Sequence, residues 1–229
     1  IALGMHNRPE IAVGRFGIVR GPTTASTDRF EIRVEGKGGH SARPFLANDP
    51  IVAAAQLVMQ ISTIVSNNVN AFHACAIAVG AIHAGKVHNV IPDTCELIGT
   101  VRSREPEARK AAEESLRRLC AGIEITAGVK CHLLYKYGVP ALINDDTILE
   151  PTVKAIRAQL GDVADDWVAS MGGEDFSLVA ERVPAFRLLV GSSQPGRADK
   201  VHTPTYQPAE ESIGYGVRAL SRAAVELLA

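Results

Sequence analysis

Between Asp28 and Tyr137 the chain passes through strand-like and helix-like segments in the order β-α-β-β-α-β. Asp28 to Glu35 alternates, with Phe30, Ile32 and Val34 on one face, the period of a half-buried strand. Asp49 to Val65 then carries Ile51, Ala54, Ala55, Val58 and Ile61 at helical spacing. Asp49 before Pro50 supplies an N-cap followed by proline at the first helical position. Phe72 to Ile82, closed by Gly85, and Thr94 to Arg102 predict two further strands. Glu105 to Gly122 predicts an amphipathic helix with Ala112, Leu116 and Leu119 on its apolar face, and Val129 to Tyr137 predicts a fourth strand. This order is that of a ferredoxin-like unit.

The flanks read differently. Residues 1–24 predict one or two short strands and turns. Asp145 to Leu160 predicts a helix, Glu174 to Glu181 a short helix, and Val183 to Val190 a buried strand. Ala209 to Leu228 predicts a closing helix with Ile213, Val217, Leu220 and Val225 on its apolar side. These pieces suit a layered α/β domain. The expected fold class is therefore α/β, with residues 1–24 and 140–229 forming one domain and residues 25–139 inserted into it.

Composition narrows the partners. Of 229 residues 46% are hydrophobic and 21% charged, enough apolar surface to offset chain entropy. Lys plus Arg is 24 against 25 for Asp plus Glu, so there is no basic surface for nucleic acid and no polybasic membrane anchor. Apolar runs fall short of the roughly 20 residues that a bilayer span needs. Ile1-Ala2-Leu3-Gly4-Met5-His6 lacks the charged region and apolar core of a signal peptide, and the missing initiator Met points to sequence upstream. Cys75, Cys95, Cys120 and Cys131 show no C-x-x-C spacing and read as reduced thiols of a cytoplasmic protein.

Several short motifs carry chemistry, each beside a plainer reading. His6, in Gly4-Met5-His6-Asn7-Arg8-Pro9, reads as a strand-end histidine beside a proline turn; it is a metal ligand or a polar loop residue. His202, in Val201-His202-Thr203-Pro204, has the same two readings. Gly38-Gly39-His40-Ser41-Ala42-Arg43-Pro44 is a glycine turn or a close approach to a ligand, where a histidine can donate to an oxyanion. Arg102 offers a forked donor set for a carboxylate and Asn89 an amide donor, or the two are a surface arginine and a turn asparagine. Gly172-Gly173-Glu174-Asp175-Phe176 places two acids in a first helical turn, as dipole complements or as carboxylates that orient a metal-bound histidine. Gly80-Ala81-Ile82-His83-Ala84-Gly85-Lys86 is followed by Val87 rather than Ser or Thr, which removes the phosphate-loop reading, and a Gly-x-Ser-x-Gly elbow is missing.

Taken in order, His6-Asn7-Arg8-Pro9 through Val13-Gly14, Gly38 to Pro44, Asp49 to Ala55, Asn89-Val90-Ile91-Pro92-Asp93-Thr94, Gly99-Thr100-Val101-Arg102, Gly173-Glu174-Asp175-Phe176 and His202-Thr203-Pro204 resemble the metal-dependent amidohydrolases that include hippurate hydrolase, N-acyl-amino-acid amidohydrolases and plant indole-acetyl-amino-acid hydrolases. The resemblance implies a catalytic α/β domain with an inserted ferredoxin-like lid that dimerises. It implies two divalent metal ions, zinc or manganese, which activate a water against the amide bond of an N-acyl amino acid or small peptide. His6 and His202 match metal ligands. His40 matches a lid histidine that stabilises the oxyanion in the partner subunit's site. Asn89 and Arg102 match lid residues that hold the substrate carboxylate, and Glu174 and Asp175 match an acidic pair near the metals. The family's other ligands and its general base match nothing in this chain and are expected upstream of Ile1, which leaves half a metal site here. Gln207 also stands where the family carries Asp. Two other readings stay open: an inactive dimerising or carboxylate-binding module, and a carboxylate-binding protein with no metal.

Overall fold

The structure is a computed structural model that describes residues 1–194, 196 and 200–229. Along the chain come β1 (Ala2–Ala12), β2 (Phe16–Ile18) and β3 (Gly21–Pro22), then β4 (Asp28–Glu35), β5 (Gly39–His40), α1 (Pro50–Ile61) and α2 (Ile64–Asn68). Next are β6 (Cys75–Ala84), β7 (Val90–Ile91), β8 (Thr94–Ser103), α3 (Pro106–Ala127) and β9 (Lys130–Lys136). The remainder is β10 (Ile143–Asn144), α4 (Asp146–Leu160), β11 (Ala164–Asp166), α5 (Ser177–Ala180), β12 (Ala185–Ser193) and α6 (Glu211–Leu228). The chain divides into two compact units. One, the split unit, is residues 1–24, 142–170 and 175–229; the other, the βαββαβ unit, is residues 25–141 and 171–174.

In the βαββαβ unit the sheet order is β6-β8-β4-β9 and every pairing is antiparallel. Phe30, Ile32 and Val34 of β4 and Leu97 and Val101 of β8 are buried, as their alternation predicts. They form one core with Ala53, Ala54, Leu57 and Ile61 of α1 and Ala112, Leu116, Cys120 and Ile123 of α3. α1 begins where expected, because the Asp49 carboxylate accepts the Ile51 N–H at 2.8 Å with Pro50 following. It ends at Ile61 rather than running on to Val65, and α2 starts again at Ile64. α3 outruns its expected end at Gly122 and stops at Gly128, whose φ of 63° suits a left-handed C-terminal residue.

The split unit has the sheet order β1-β12-β2-β11. β1 and β12 run parallel, β12 and β2 antiparallel, and β2 and β11 parallel. Phe16, Phe186, Leu188 and Val190 pack against Ile148, Leu149, Val153 and Ile156 of α4 and Ala219 of α6. Buried Asn144 fastens the segments together: its amide donates to the Val19 carbonyl at 2.8 Å and its oxygen accepts the Arg187 N–H at 2.9 Å. Expectations fail in this unit at β1 and at α6. β1 is an eleven-residue strand rather than short pieces. The side of α6 turned inward carries Ser212, Gly216, Ala219 and Ala223, whereas Ile213, Val217 and Val225 are exposed. Close approach explains this inversion. A Cβ on Gly216 would sit 2.8 Å from the Met5 sulfur, so only small residues fit beneath the helix.

Candidate functional site

His6 lies inside β1, paired with Leu189 of β12, and is half-buried. The expected proline turn after it does not form: β1 continues through Pro9, which is tolerated because β1 is a sheet edge and its register shifts beyond Arg8. His202 is exposed in the loop before α6, with a φ of 61°, a left-handed backbone that non-glycine residues seldom adopt. The Asn7 amide donates to the Tyr206 hydroxyl at 2.8 Å, and the Ser192 hydroxyl lies 3.1 Å from the same oxygen. These bonds tie the His202 loop to the strand position beside His6. Sequence reasoning did not single out Asn7, Ser192 or Tyr206, although the first adjoins His6 and the last follows His202-Thr203-Pro204-Thr205.

A catalytic zinc ion takes three protein ligands, and a structural one takes four. Among the described residues no three His, Cys, Asp or Glu side chains come together. His6 and His202 therefore do not by themselves fit a metal ion, and no hydrolytic step through a metal can be built from this chain's described residues.

The second set of candidates belongs to the βαββαβ unit. His40 ends β5 and pairs with Val90 of β7, and the Ser41 N–H donates to the Asn89 carbonyl at 3.1 Å. This bridge brings His40 and Asn89, both exposed, to one edge of the unit. It needs glycine at position 38, where a Cβ would lie 2.6 Å from the Ile91 carbonyl oxygen. The close approach that the paired glycines permit is thus made by the chain's own backbone. The Ala42 N–H donates to Nδ1 of His40 at 3.0 Å. In a neutral ring that acceptor role puts the proton on Nε2, leaving Nε2–H as a donor for a ligand oxygen.

Arg102 sits elsewhere in the unit. It is on β8 opposite Ala76, one residue beyond Val101, which pairs with Asp28 at the start of β4. The His40–Asn89 bridge lies past the other end of that ladder, where Glu35 pairs with Thr94. Arg102 is eight residue steps along β8 from Thr94, about 26 Å along an extended strand. Within one chain Arg102 and the His40–Asn89 bridge do not converge. The Gly172–Glu174 segment does lie near Arg102, since a Cβ on Gly173 would sit 3.5 Å from Arg102 Nη1 and 2.2 Å from a Thr27 methyl. Glu174 and Asp175 precede α5 rather than occupying its first turn, which begins at Ser177 without a side-chain cap. The capping account of this acidic pair is thereby removed.

Comparison with known proteins follows the same lines. Residues 25–124 match the family described as a peptidase dimerisation domain. The chain is 36% identical over 225 residues to an N-acetylcysteine deacetylase of Bacillus subtilis (strain 168), a match that takes in 98% of this chain and 58% of the relative. It superposes on a putative aminohydrolase from methicillin-resistant Staphylococcus aureus with a TM-score of 0.95 at 28% identity, over 99% of this chain and 59% of that one. It superposes on a dinuclear metal binding peptidase of the M20 family from Bacillus subtilis with a TM-score of 0.83 at 33% identity, over 99% and 56%. The chain thus spans a little over half the length of the proteins it matches. Among the described residues no helix is long and apolar enough to cross a membrane.

Proposed function

We propose, because the chain belongs to the M20 family of amidohydrolases, that it forms part of an enzyme that hydrolyses the amide bond of N-acyl amino acids or small peptides. The observation that carries this reading is the His40 ring, exposed and with its proton placed on Nε2 by the Ala42 N–H. Such a donor stabilises the oxyanion that forms when an amide carbonyl is attacked. Asn89 and Arg102 supply the amide and guanidinium donors for the substrate's carboxylate. Glu174, close in sequence to the glycine that borders Arg102, is the acidic residue assigned to this centre. Two divalent ions, zinc or manganese, belong to this reading and supply the activated water. His6 and His202 contribute only part of their ligand set. Residues 1–24 and 140–229 then belong to the catalytic domain, and residues 25–139 form the lid.

The separation of Arg102 from the His40–Asn89 bridge makes a homodimer part of the reading, since one protomer cannot bring both to one substrate. Edge strand β6 and the exposed Met59 and Phe72, at 73% and 94% exposure, suit a surface covered by a second copy. The four free thiols suit the reducing cytoplasm. A second reading, an inactive dimerising or carboxylate-binding module, is favoured by one observation: among the described residues no three metal ligands converge.

Turnover of N-acetyl amino acids by the protein made from the whole coding sequence separates the two readings. Under the first, His40→Ala lowers kcat by about 100-fold while KM moves only a few-fold, as for a group that acts on the transition state. Unchanged kcat removes His40 from the mechanism, and absence of any turnover with zinc or manganese leaves the binding module. Sedimentation of this chain as a monomer at micromolar concentration overturns the dimer.

A further inference from the structure

Cys120 lies on the buried side of α3 between Leu116 and Ile123. Glu124, one helical turn further on, accepts the backbone N–H of Cys131 at 2.8 Å and so holds the start of β9 over the turn that carries Cys120. Both side chains pack in the same core, and each thiol is the main influence on the other's titration, lowering Cys120 and raising Cys131. Cys120 is buried and Cys131 half-buried on a strand at the sheet edge. The other two thiols have no such neighbour. Cys75 pairs with Ser103 and Cys95 with Ala84, at opposite ends of the β6–β8 ladder.

We propose that Cys120 and Cys131 form a latent dithiol that low-molecular-weight disulfides convert to an intramolecular disulfide, fastening edge strand β9 to α3. The half-buried Cys131 is the thiol that a small disulfide reaches. Its sulfur, as thiolate, attacks one sulfur of the small disulfide, a mixed disulfide forms, and one small thiolate departs and takes up a proton. Cys120 then attacks the Cys131 sulfur and expels the second small thiol. Two electrons pass from the protein to the small disulfide, and two small thiols are released. The proximity of the two thiols suits the second step: Cys131 holds the Cys120 thiol below its ordinary value, and Cys120 together with burial pushes Cys131 up. That upward push makes the first exchange slow at neutral pH and faster as the solution becomes alkaline. Closing the turn between α3 and β9 restricts the unfolded chain, so the oxidised protein melts at a higher temperature.

The test is to incubate the folded protein with glutathione disulfide, block free thiols, and digest without reduction. Expected are a mass lower by two hydrogens, a peptide pair joining Cys120 to Cys131, and a raised unfolding midpoint that dithiothreitol reverses. Cys131→Ser should show none of these changes; mapping the wild-type protein decides the matter even if that variant fails to fold. All four thiols still free after prolonged incubation, a persistent glutathione adduct on Cys120 or Cys131, or a cross-link seen only in denaturant would overturn the proposal. None of these outcomes bears on amide hydrolysis.

Discussion

The βαββαβ unit draws its core from one nearly continuous run of chain, residues 25–141, whereas the split unit gathers residues 1–24, 142–170 and 175–229. In the first, β4 and β8 supply the buried strand residues of the main core, α1 and α3 cover them, and large side chains such as Phe30, Leu97 and Leu116 fill the layer. In the second, parallel pairing joins Ala2 to Ala185 and Phe16 to Ala164, contacts that no local pattern specifies. Its closing helix approaches so closely that small residues line the contact. The difference shows where hydrophobic periodicity can be trusted. It reports the buried side when the core is filled by large residues, and it misleads when backbones approach closely enough to exclude them.

The largest test of that contrast is Phe30→Ala. Phe30 is fully buried and its ring fills the space where a Cβ on Gly99 would stand, at 2.1 Å. Loss of about 4 kcal/mol is expected from the cavity and lost transfer energy. Amide exchange should quicken in β4, β8 and β9 before β1 and β12, because the two cores are separate clusters. Equal loss of protection in both units would break the comparison.

Asp28→Ala comes next. The Asp28 side chain is 0% exposed and accepts from Arg109 at 2.6 and 2.8 Å, from the Tyr135 hydroxyl at 2.8 Å and from the Gly138 N–H at 3.1 Å. Burial, with Asp28 beside it, pushes the Tyr135 hydroxyl well above its ordinary value. Removing the carboxylate strands the Arg109 charge, and urea unfolding should show a loss of about 3 kcal/mol. A loss below about 1 kcal/mol would mean that water replaces the carboxylate at little cost.

In the split unit Asn144→Ala should cost about 2 kcal/mol, because it orphans the buried Arg187 N–H and Val19 carbonyl. A neutral result would show that parallel pairing alone holds the segments. Asp49→Ala, which removes only the cap of α1, should cost about 1 kcal/mol by the same measurement.

The smallest effect is in pH dependence. The Thr147 hydroxyl and N–H hold the Asp145 carboxyl below its ordinary value. A depressed carboxylate stabilises the fold above its unfolded value, near 4, and that contribution fades as pH falls through the lower folded value. Asp145→Asn should therefore flatten the acid limb of stability and change little at neutral pH. An unaltered acid limb would assign that limb to other carboxylates.

Sequence alone determined a good deal here. Alternation placed β4 at Asp28–Glu35 and β8 within a residue of its end, and Asp49-Pro50 marked the start of α1. These signals are legible because strand period and helix capping act between neighbours one turn or one pleat apart. The ordered motifs also pointed to the family, since each motif is a short stretch whose residues stand together. What only the tertiary structure decided is which candidates meet. His40 and Asn89 stand 49 positions apart in sequence yet share one bridge, whereas Asn89 and Arg102, 13 apart, lie at opposite ends of a ladder. The His202 loop reaches the His6 strand through Asn7 and Tyr206. The inward side of α6 was hidden as well, because what buries it is the closeness of Met5 and not the apolarity of its own residues. Register between distant segments is set by which backbones pair and how closely they pack, and neither is written in the period of any single segment.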